Sequence, residues 1–355
     1  VLFVTRKWAP AMGGMETYCL RLTEELAKTH RLEIAALPGN ADGSPPSAVA
    51  LLWFPFKVLR QWMALSDAPD VIHVADMALW PAGLLARKRN RVILSAHGTD
   101  VSYPRRGGIR GRLYGAYLKL GSKLLPDARV IANSSATEAA CHENGWQRTA
   151  IVALATDISR ITPSSPPRRT ILFAGRLVRR KGLRWFVENV LDRLPAHITL
   201  EVAGTRWDAA EETALDHRRV RYLGKLDPEG LAEAYGAALC VVLPNLELAN
   251  GEFEGFGLIA CEAASAGGIV LAADCGGLSE AVIGGETGFL LPSGDADAWA
   301  DKIADLNAWS PEARAGFIGR SIAASATYYS WGRVVRETAA LYRNEFEPTT
   351  QRAEN

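Results

Sequence analysis

The strongest constraint on this chain is an alternation that runs nearly end to end. Short β-branched and apolar runs recur along it, and the stretches between them mostly carry apolar residues at helical spacing. Tyr18, Leu22 and Leu26, at i, i+4 and i+8, mark one such helix face. The runs predict strands near 1–5, 32–37, 71–74, 92–96, 130–132 and 151–153 in the first half. In the second half they predict strands near 171–174, 198–203, 220–223, 239–243, 269–273 and 289–291. Strands alternating with helices imply parallel sheets covered by helices on both faces, so the expected fold class is α/β. One stretch breaks the rhythm. "ITPSSPPRRT", residues 161–170, holds three prolines and continues neither a helix nor a central strand. It predicts a boundary between two Rossmann-like, doubly wound domains facing a cleft, residues 1–163 and 164–330. A C-terminal helix near 331–346 is expected to cross back onto the first domain.

Composition excludes several classes. A length of 355 residues accommodates two ordinary domains and a large core. A net charge of +1 gives no global field for nucleic acid, so no nucleic-acid partner is expected. Cys19, Cys141, Cys240, Cys261 and Cys275 are scattered, form no CxxC pair and suggest no zinc site. They predict small buried side chains in a reducing compartment. The chain opens in an apolar run without a charged leader, and no segment is long and apolar enough to span a bilayer. The expected location is cytoplasmic.

Five constellations carry chemistry. Gly13 and Gly14 follow the first strand and precede a helix, where backbone N–H groups can approach an anion. This is neither the dinucleotide fingerprint nor a Walker loop. "FAGRLVRRKGLRWF", residues 173–186, sets Arg176 and Lys181 just past a strand, a pair of cations suited to a diphosphate. Its neighbours Arg179, Arg180 and Arg184 read as a solvated basic turn. "EFEGFGLIACEAASAGG", residues 252–268, places Glu254 before a helix that begins near Gly257, and Glu262 inside it. A carboxylate there accepts sugar hydroxyls while a phosphate takes the helix N-terminus. The bland alternative makes Glu254 a cap and Glu262 a surface acid. It fits poorly with the small residues Ala260, Cys261, Ala263 and Ala264 around Glu262. His97 lies just beyond an apolar strand, where α/β ligands bind. Gly276 and Gly277 precede Ser279 and Glu280 in a last strand–turn–helix passage, and Glu280 reads equally well as a first-turn acid.

Taken together, these residues resemble the retaining glycosyltransferases of family 4, the group 1 glycosyltransferases with the GT-B fold. The resemblance rests on Gly13–Gly14, "AHGTD", "AGRLVRRKG", "EGFGLIACEA", "CGGLSEAV" and "GETGFLLPSGD", in family order over most of the chain. It implies transfer of a sugar from a nucleotide-sugar donor to an acceptor hydroxyl with retention at the anomeric carbon. It assigns Arg176 and Lys181 to the diphosphate, Glu262 to the ribose and Glu254 to the donor sugar. Gly13 and Gly14 would lie near the donor phosphates and His97 near the transferred sugar. The backbone of Phe256, Gly257 and Leu258 would contact phosphate or sugar, and the strand ends at Gly204 and Gly224 would help hold the base. His97, Arg176, Lys181 and Glu254 form the implied catalytic set. Cations and helix N-termini would stabilise the leaving diphosphate, so no cofactor and no metal are expected. The sequence departs from the family at 153–157, where Ala153-Leu154-Ala155-Thr156-Asp157 keeps only the aspartate of Asn-Gly-Val-Asp.

The acceptor is left open as a glycan or lipid-linked sugar, in glycan, polysaccharide or glycolipid biosynthesis. Residues 101–125 hold six basic residues and no acid, with Leu113, Tyr117, Leu120 and Leu124 in one stripe and Arg112, Lys119 and Lys123 beside it. Together with "LLWFPFKVLRQWM", residues 51–63, they fit either a packed core or a peripheral contact with an anionic membrane surface. Competing readings are an epimerase or phosphorylase of the same fold and a non-catalytic sugar-nucleotide-binding protein.

Overall fold

The structure, a computed structural model, describes residues 1–11, 13–40, 46–86, 90–158 and 169–345. The chain divides into two units. The first comprises Val1–Leu154 together with the chain from Trp331, and the second is Ala155–Ser330. The change of unit falls between Leu154 and Ala155, ahead of the expected break at 163/164. Residues 161–168 of the proline-rich stretch lie outside the described residues.

The first unit is built on six strands: β1 (Leu2–Trp8), β2 (Glu33–Pro38), β3 (Val71–Val74), β4 (Arg91–Ala96), β5 (Arg129–Ala132) and β6 (Thr149–Ile151). They form one parallel sheet in the order β2-β1-β3-β4-β5-β6. Leu2, Phe3, Val4, Ile72, Val74 and Leu94 are fully buried at its centre. Continuous apolar runs of this kind are what a sheet covered on both faces requires. β6 ends at Ile151 and so begins two positions before the expected 151–153. It is a three-residue strand at the sheet's end, held by one neighbour only.

The C-terminal helix Trp331–Arg343 belongs to this first unit. Arg333 donates to the carbonyls of Ala153 (2.8 Å) and Leu154 (3.3 Å), the stretch that departs from the family pattern. Tyr342 reaches into the sheet, where its hydroxyl lies 2.6 Å from His73 Nδ1. His73 Nε2 meets Ser95 Oγ at 2.8 Å, and Ser95 meets the Tyr18 hydroxyl at 3.0 Å. Burial, and to a smaller extent the neighbouring His97, lowers the His73 pKa to about 3 and keeps the His73 ring neutral.

The second unit holds β7 (Thr170–Ala174), β8 (Thr199–Ala203), β9 (Val220–Gly224), β10 (Cys240–Leu243), β11 (Val270–Ala273) and β12 (Gly288–Leu291). These also pair in parallel, in the order β12-β11-β10-β7-β8-β9. Side chains cap several of the helices that follow. Asp227 accepts from Gly230 N–H at 2.8 Å before Pro228–Ala237, and Ser310 accepts from Ala313 N–H at 3.2 Å before Pro311–Tyr328. All five cysteines are buried, and none is in a disulfide.

In each sheet the chain reverses its direction of winding at one place: between β1 and β3 in the first, and between β7 and β10 in the second. Ligands of open parallel sheets bind beyond the carboxyl ends of the strands at such a switch point. The topology therefore singles out the residues after Ala174 and Leu243, and those after Trp8 and Val74.

Candidate functional site

Two segments converge beyond the switch point of the second sheet. After β7 the chain runs through Gly175 and Arg176 to a tight turn, Arg179–Lys181. Gly182 closes the turn with φ 69°. A Cβ there would lie 2.0 Å from the carbonyl oxygen of Pro244, so the turn and the loop after β10 are pressed together at a glycine. Leu246 N–H donates to Arg180 O at 3.0 Å and fixes the pair. After β10 the loop passes Pro244 and Asn245 and returns as 252–257, leading to the helix Leu258–Ser265. Gly277 N–H donates to Glu254 O at 2.8 Å. A Cβ on Gly277 would lie 2.2 Å from Gly255 O, so the Gly276–Gly277 turn serves to clamp the loop that carries Glu254.

Lys181 and Glu254 meet as a result. Lys181 is 6% exposed, and its Nζ lies 2.8 Å from Glu254 Oε2. Arg180 Nη2 approaches the same oxygen at 3.5 Å, and Asn245 Nδ2 at 3.4 Å. Burial alone would raise the Glu254 carboxyl. Lys181, then Arg180, and the hydrogen bonds of Lys181 and Asn245 outweigh it and hold Glu254 below its ordinary value. Arg180 is therefore not the solvated turn residue expected from the sequence. Its side chain is 17% exposed and it shares Glu254 with Lys181.

Glu262 sits on the helix Leu258–Ser265, turned inward rather than to the surface. Its Oε2 accepts from the Tyr235 hydroxyl at 3.2 Å. Burial raises its carboxyl, against the smaller lowering effects of Tyr235 and of Lys181. The helix begins at Gly257, with φ 93°, and among the described residues no side chain caps it. Phe256, Gly257 and Leu258 thus bring an uncapped helix N-terminus next to the two acids. Arg176 is exposed, and its guanidinium rests 5.6 Å from the ring centre of Trp207. Partial desolvation of the guanidinium among its neighbours, then the nearby Arg180, lowers its pKa.

The far side of this sheet behaves as a second close approach. A Cβ on Gly204 would lie 1.8 Å from Gly175 O. Gly204 N–H donates to Gly224 O at 2.8 Å, and Gly224 takes φ 73° with open space where a side chain would stand. The strand ends at Gly204 and Gly224 thus join beside Gly175. Asn245, Tyr235, Arg180 and Trp207 were not legible as site residues. The nearest signal was a lone polar residue one position past the proline that ends a fully buried strand, which describes Asn245. The expectation of no metal also took the sequence to lack an Asp-x-Asp motif; Asp295 and Asp297 do form such a pair, but Asp295 caps the helix Ala296–Ala308 and Asp297 pairs with Arg193.

The first unit gathers its own polar set past β1, β3 and β4. His97 N–H donates to Asp100 Oδ1 at 2.8 Å. The ring Nε2 lies 3.1 Å from Ala75 O, and a carbonyl only accepts, so Nε2 carries the proton. Tyr18 packs edge-on against the ring, centroids 4.9 Å apart. Asp76, fully buried, pairs with Arg6 and accepts from Ala78 N–H at 2.8 Å. Gly13 and Gly14 stand at the start of Gly14–Leu26, where Glu16 folds back toward Gly13 and lies 3.4 Å from Lys7. The structure brings Arg176, Lys181, Glu254, Glu262 and 256–258 together in the second unit, while Gly13, Gly14 and His97 belong to the first.

Two parallel six-stranded sheets, each with a switch point and polar groups beyond its strand ends, define the GT-B class of α/β folds. Comparison with known proteins agrees. A family model for family 4 glycosyltransferases matches residues 12–160, and one for group 1 glycosyl transferases matches 168–308. The chain belongs to the group 1 glycosyltransferases of family 4 type. It is 29% identical over 255 residues to a D-inositol 3-phosphate glycosyltransferase of Corynebacterium urealyticum, covering 62% of this chain and 58% of that protein. The like-named protein of Mycobacterium avium is 38% identical over 135 residues, 38% of this chain and 30% of that one. The chain thus spans little more than half the length of the first of these relatives. Among solved structures, Anabaena HepE in complex with UDP and glucose superimposes with a TM-score of 0.71 at 18% identity, covering 97% of this chain and 99% of that one. Sucrose-phosphate synthase of Thermosynechococcus elongatus superimposes with a TM-score of 0.72 at 22% identity, covering 97% and 98%.

Proposed function

We propose that this chain transfers a sugar from a nucleoside diphosphate sugar to an acceptor hydroxyl, with retention at the anomeric carbon. The observation that carries the reading is the convergence of Arg176, Lys181, Glu254 and Glu262 at the switch point of the second sheet. As the glycosidic bond breaks, negative charge grows on the leaving diphosphate. Arg176, Lys181 and the N-terminus of Leu258–Ser265 are fixed cations and dipoles suited to that charge. Lys181 has three N–H donors, so one can stay on Glu254 while others turn to a phosphate oxygen. The three contacts on Glu254 all fall on Oε2, which leaves Oε1 for hydroxyls of the donor sugar. Glu262 takes the ribose hydroxyls, and the joined strand ends at Gly204 and Gly224 flank the base. The family pattern assigns His97, in the first unit, to the transferred sugar.

In this reading the acceptor attacks from the face the diphosphate leaves, and the departing phosphate takes the acceptor's proton. The cationic site supplies the charge that a metal would otherwise provide, so the reaction needs no metal and no cofactor. UDP sugars are the first donors to test, because the similar Anabaena protein is in complex with UDP and with UDP-glucose. The acceptor is a sugar or cyclitol hydroxyl, in glycan, polysaccharide or glycolipid assembly. The names of the matched inositol-phosphate transferases support that class. The test is release of nucleoside diphosphate from a panel of sugar donors in the presence of EDTA. The reading expects turnover of one donor class, lost in Arg176→Ala. Turnover that EDTA abolishes and magnesium restores would contradict the metal-independent mechanism.

A further inference from the structure

The exposed apolar side chains of the molecule are not scattered. Among the described residues, thirteen large hydrophobic side chains are exposed, and Trp207 alone of them lies outside three segments of the first unit. Val49, Leu51, Leu52, Trp53, Phe56, Leu59 and Met63 stand on the helix Ala48–Met63. Leu84 lies on the 3-10 segment Met77–Leu85, and Ile109, Leu113, Leu120 and Leu124 lie on the helix Gly108–Leu124. Both helices pack against that 3-10 segment. Tyr117 of the second helix donates to Ala78 O at 2.8 Å, and its ring lies 5.2 Å from Trp80.

The core-packed reading of these helices fails for physical reasons. The first helix is apolar nearly all round, yet it buries only a narrow side bearing Phe54 and Val58. Lys57 and Gln61 on that helix donate to the carbonyls of Ala36 and Ile34 at 2.9 and 3.2 Å, covering the edge strand β2. Trp53, 63% exposed, and Phe56, 61% exposed, point elsewhere and contact each other at 5.4 Å. The second helix buries Gly111, Gly115, Leu118 and Gly121, and so turns Leu113, Leu120 and Leu124 outward instead of into the core. A soluble monomer rarely leaves so many large apolar groups together in water.

The charge that these three segments themselves carry is of one sign. The three segments contain Lys57, Arg60, Arg110, Arg112, Lys119 and Lys123 and no aspartate or glutamate. All six basic residues are exposed. Among the described residues, no helix is long and apolar enough to cross a membrane. A protein partner with an apolar patch would need no such uniform rim, whereas an anionic bilayer supplies both the apolar layer and the negative surface. We propose that the helices Ala48–Met63 and Gly108–Leu124 dock the first unit onto an anionic lipid surface, with Trp53 and Phe56 as anchors. The proposal stands on the first unit alone and is independent of the transferase reading.

The test is flotation of the whole chain with vesicles of phosphatidylcholine alone and with added phosphatidylglycerol, alongside tryptophan emission. Docking predicts flotation with the anionic vesicles, a blue shift, and weaker binding at high salt. Arg112→Gln with Lys119→Gln lowers the partition coefficient roughly thirtyfold, from ~1 kcal/mol per basic residue. Trp53→Ser with Phe56→Ser, at exposed positions, removes binding while circular dichroism and nucleotide-induced stabilisation stay unchanged. Protein that remains at the bottom with anionic vesicles overturns the proposal. So does a dimer in solution, by light scattering, that Trp53→Ser with Phe56→Ser abolishes, since the face would then join two copies of the chain.

Discussion

Lys181 Nζ lies 2.8 Å from Glu254 Oε2, and both side chains are almost wholly withdrawn from water, at 8% and 14% exposure. The pair ties the turn after β7 to the loop after β10, so charge and loop geometry are one device. Removing one member leaves a largely buried charge with only its weaker contacts. Lys181→Ala is expected to destabilise the second unit by about 3 kcal/mol. It also lowers turnover by about a hundredfold or more, the size of effect seen when one group stabilising transition-state charge is lost. Lys181→Ala with Glu254→Gln is expected to recover much of the stability and none of the turnover. Urea unfolding and initial rates of the three variants measure both, and full stability in Lys181→Ala alone would show that the pair contributes nothing to the fold.

The two acids are expected to respond to pH with opposite signs. The native Glu254 carboxyl is held below the unfolded value of 4.5, so its stabilisation is complete above 4.5 and is lost as pH falls through the native value. The native Glu262 carboxyl is raised, so its contribution is present below 4.5 and is lost as pH rises through its native value. The stability advantage of the native chain over Glu254→Gln should therefore shrink as pH falls below about 4.5. Glu262→Gln should gain on the native chain as pH rises above about 4.5. Unfolding curves on both sides of that pH check both slopes.

Glu262→Gln is expected to weaken binding of the nucleoside diphosphate by about tenfold or more, the worth of a hydrogen bond to a charged group. The expectation is specific to nucleotides. Calorimetry with a nucleoside diphosphate against inorganic pyrophosphate separates a ribose contact from a phosphate contact, and an equal loss for both ligands would contradict the ribose role.

Glycines at the site are expected to differ from glycines elsewhere. Gly182→Ala forces a Cβ to within 2.0 Å of Pro244 O at φ 69° and should cost about 2 kcal/mol or more. Gly319→Ala lies within Pro311–Tyr328, exposed and with nothing within 4 Å of the added Cβ. It should stabilise by about 1 kcal/mol. Chemical denaturation of the two variants measures the contrast.

Much of this fold was legible in the sequence because parallel strands buried on both faces read as unbroken apolar runs. The short edge strand β6 escaped accurate placement because little packing marks its ends. Glu254, Glu262 and Lys181 stood out because charges beside glycines and small residues have no place in an ordinary packed passage. Arg180 did not, since "RRK" looks like any solvated basic turn. Only the left-handed Gly182 and the return of the chain at Pro244 bring Arg180 to Glu254. Asn245 and Tyr235 were hidden for a related reason: each is an unremarkable residue until its partner, distant in sequence, is known. The helix Ala48–Met63 shows the limit of periodicity itself. An apolar residue at almost every position does not say which side faces the core.

The most direct measurement is calorimetric titration of the native chain with UDP, GDP and ADP in EDTA, repeated with Lys181→Ala. Saturable binding of one of them, weakened by about tenfold or more in the variant, is the predicted result. Binding of none of the three, by a chain that unfolds cooperatively, would contradict a nucleoside diphosphate site between the ends of β7 and β10.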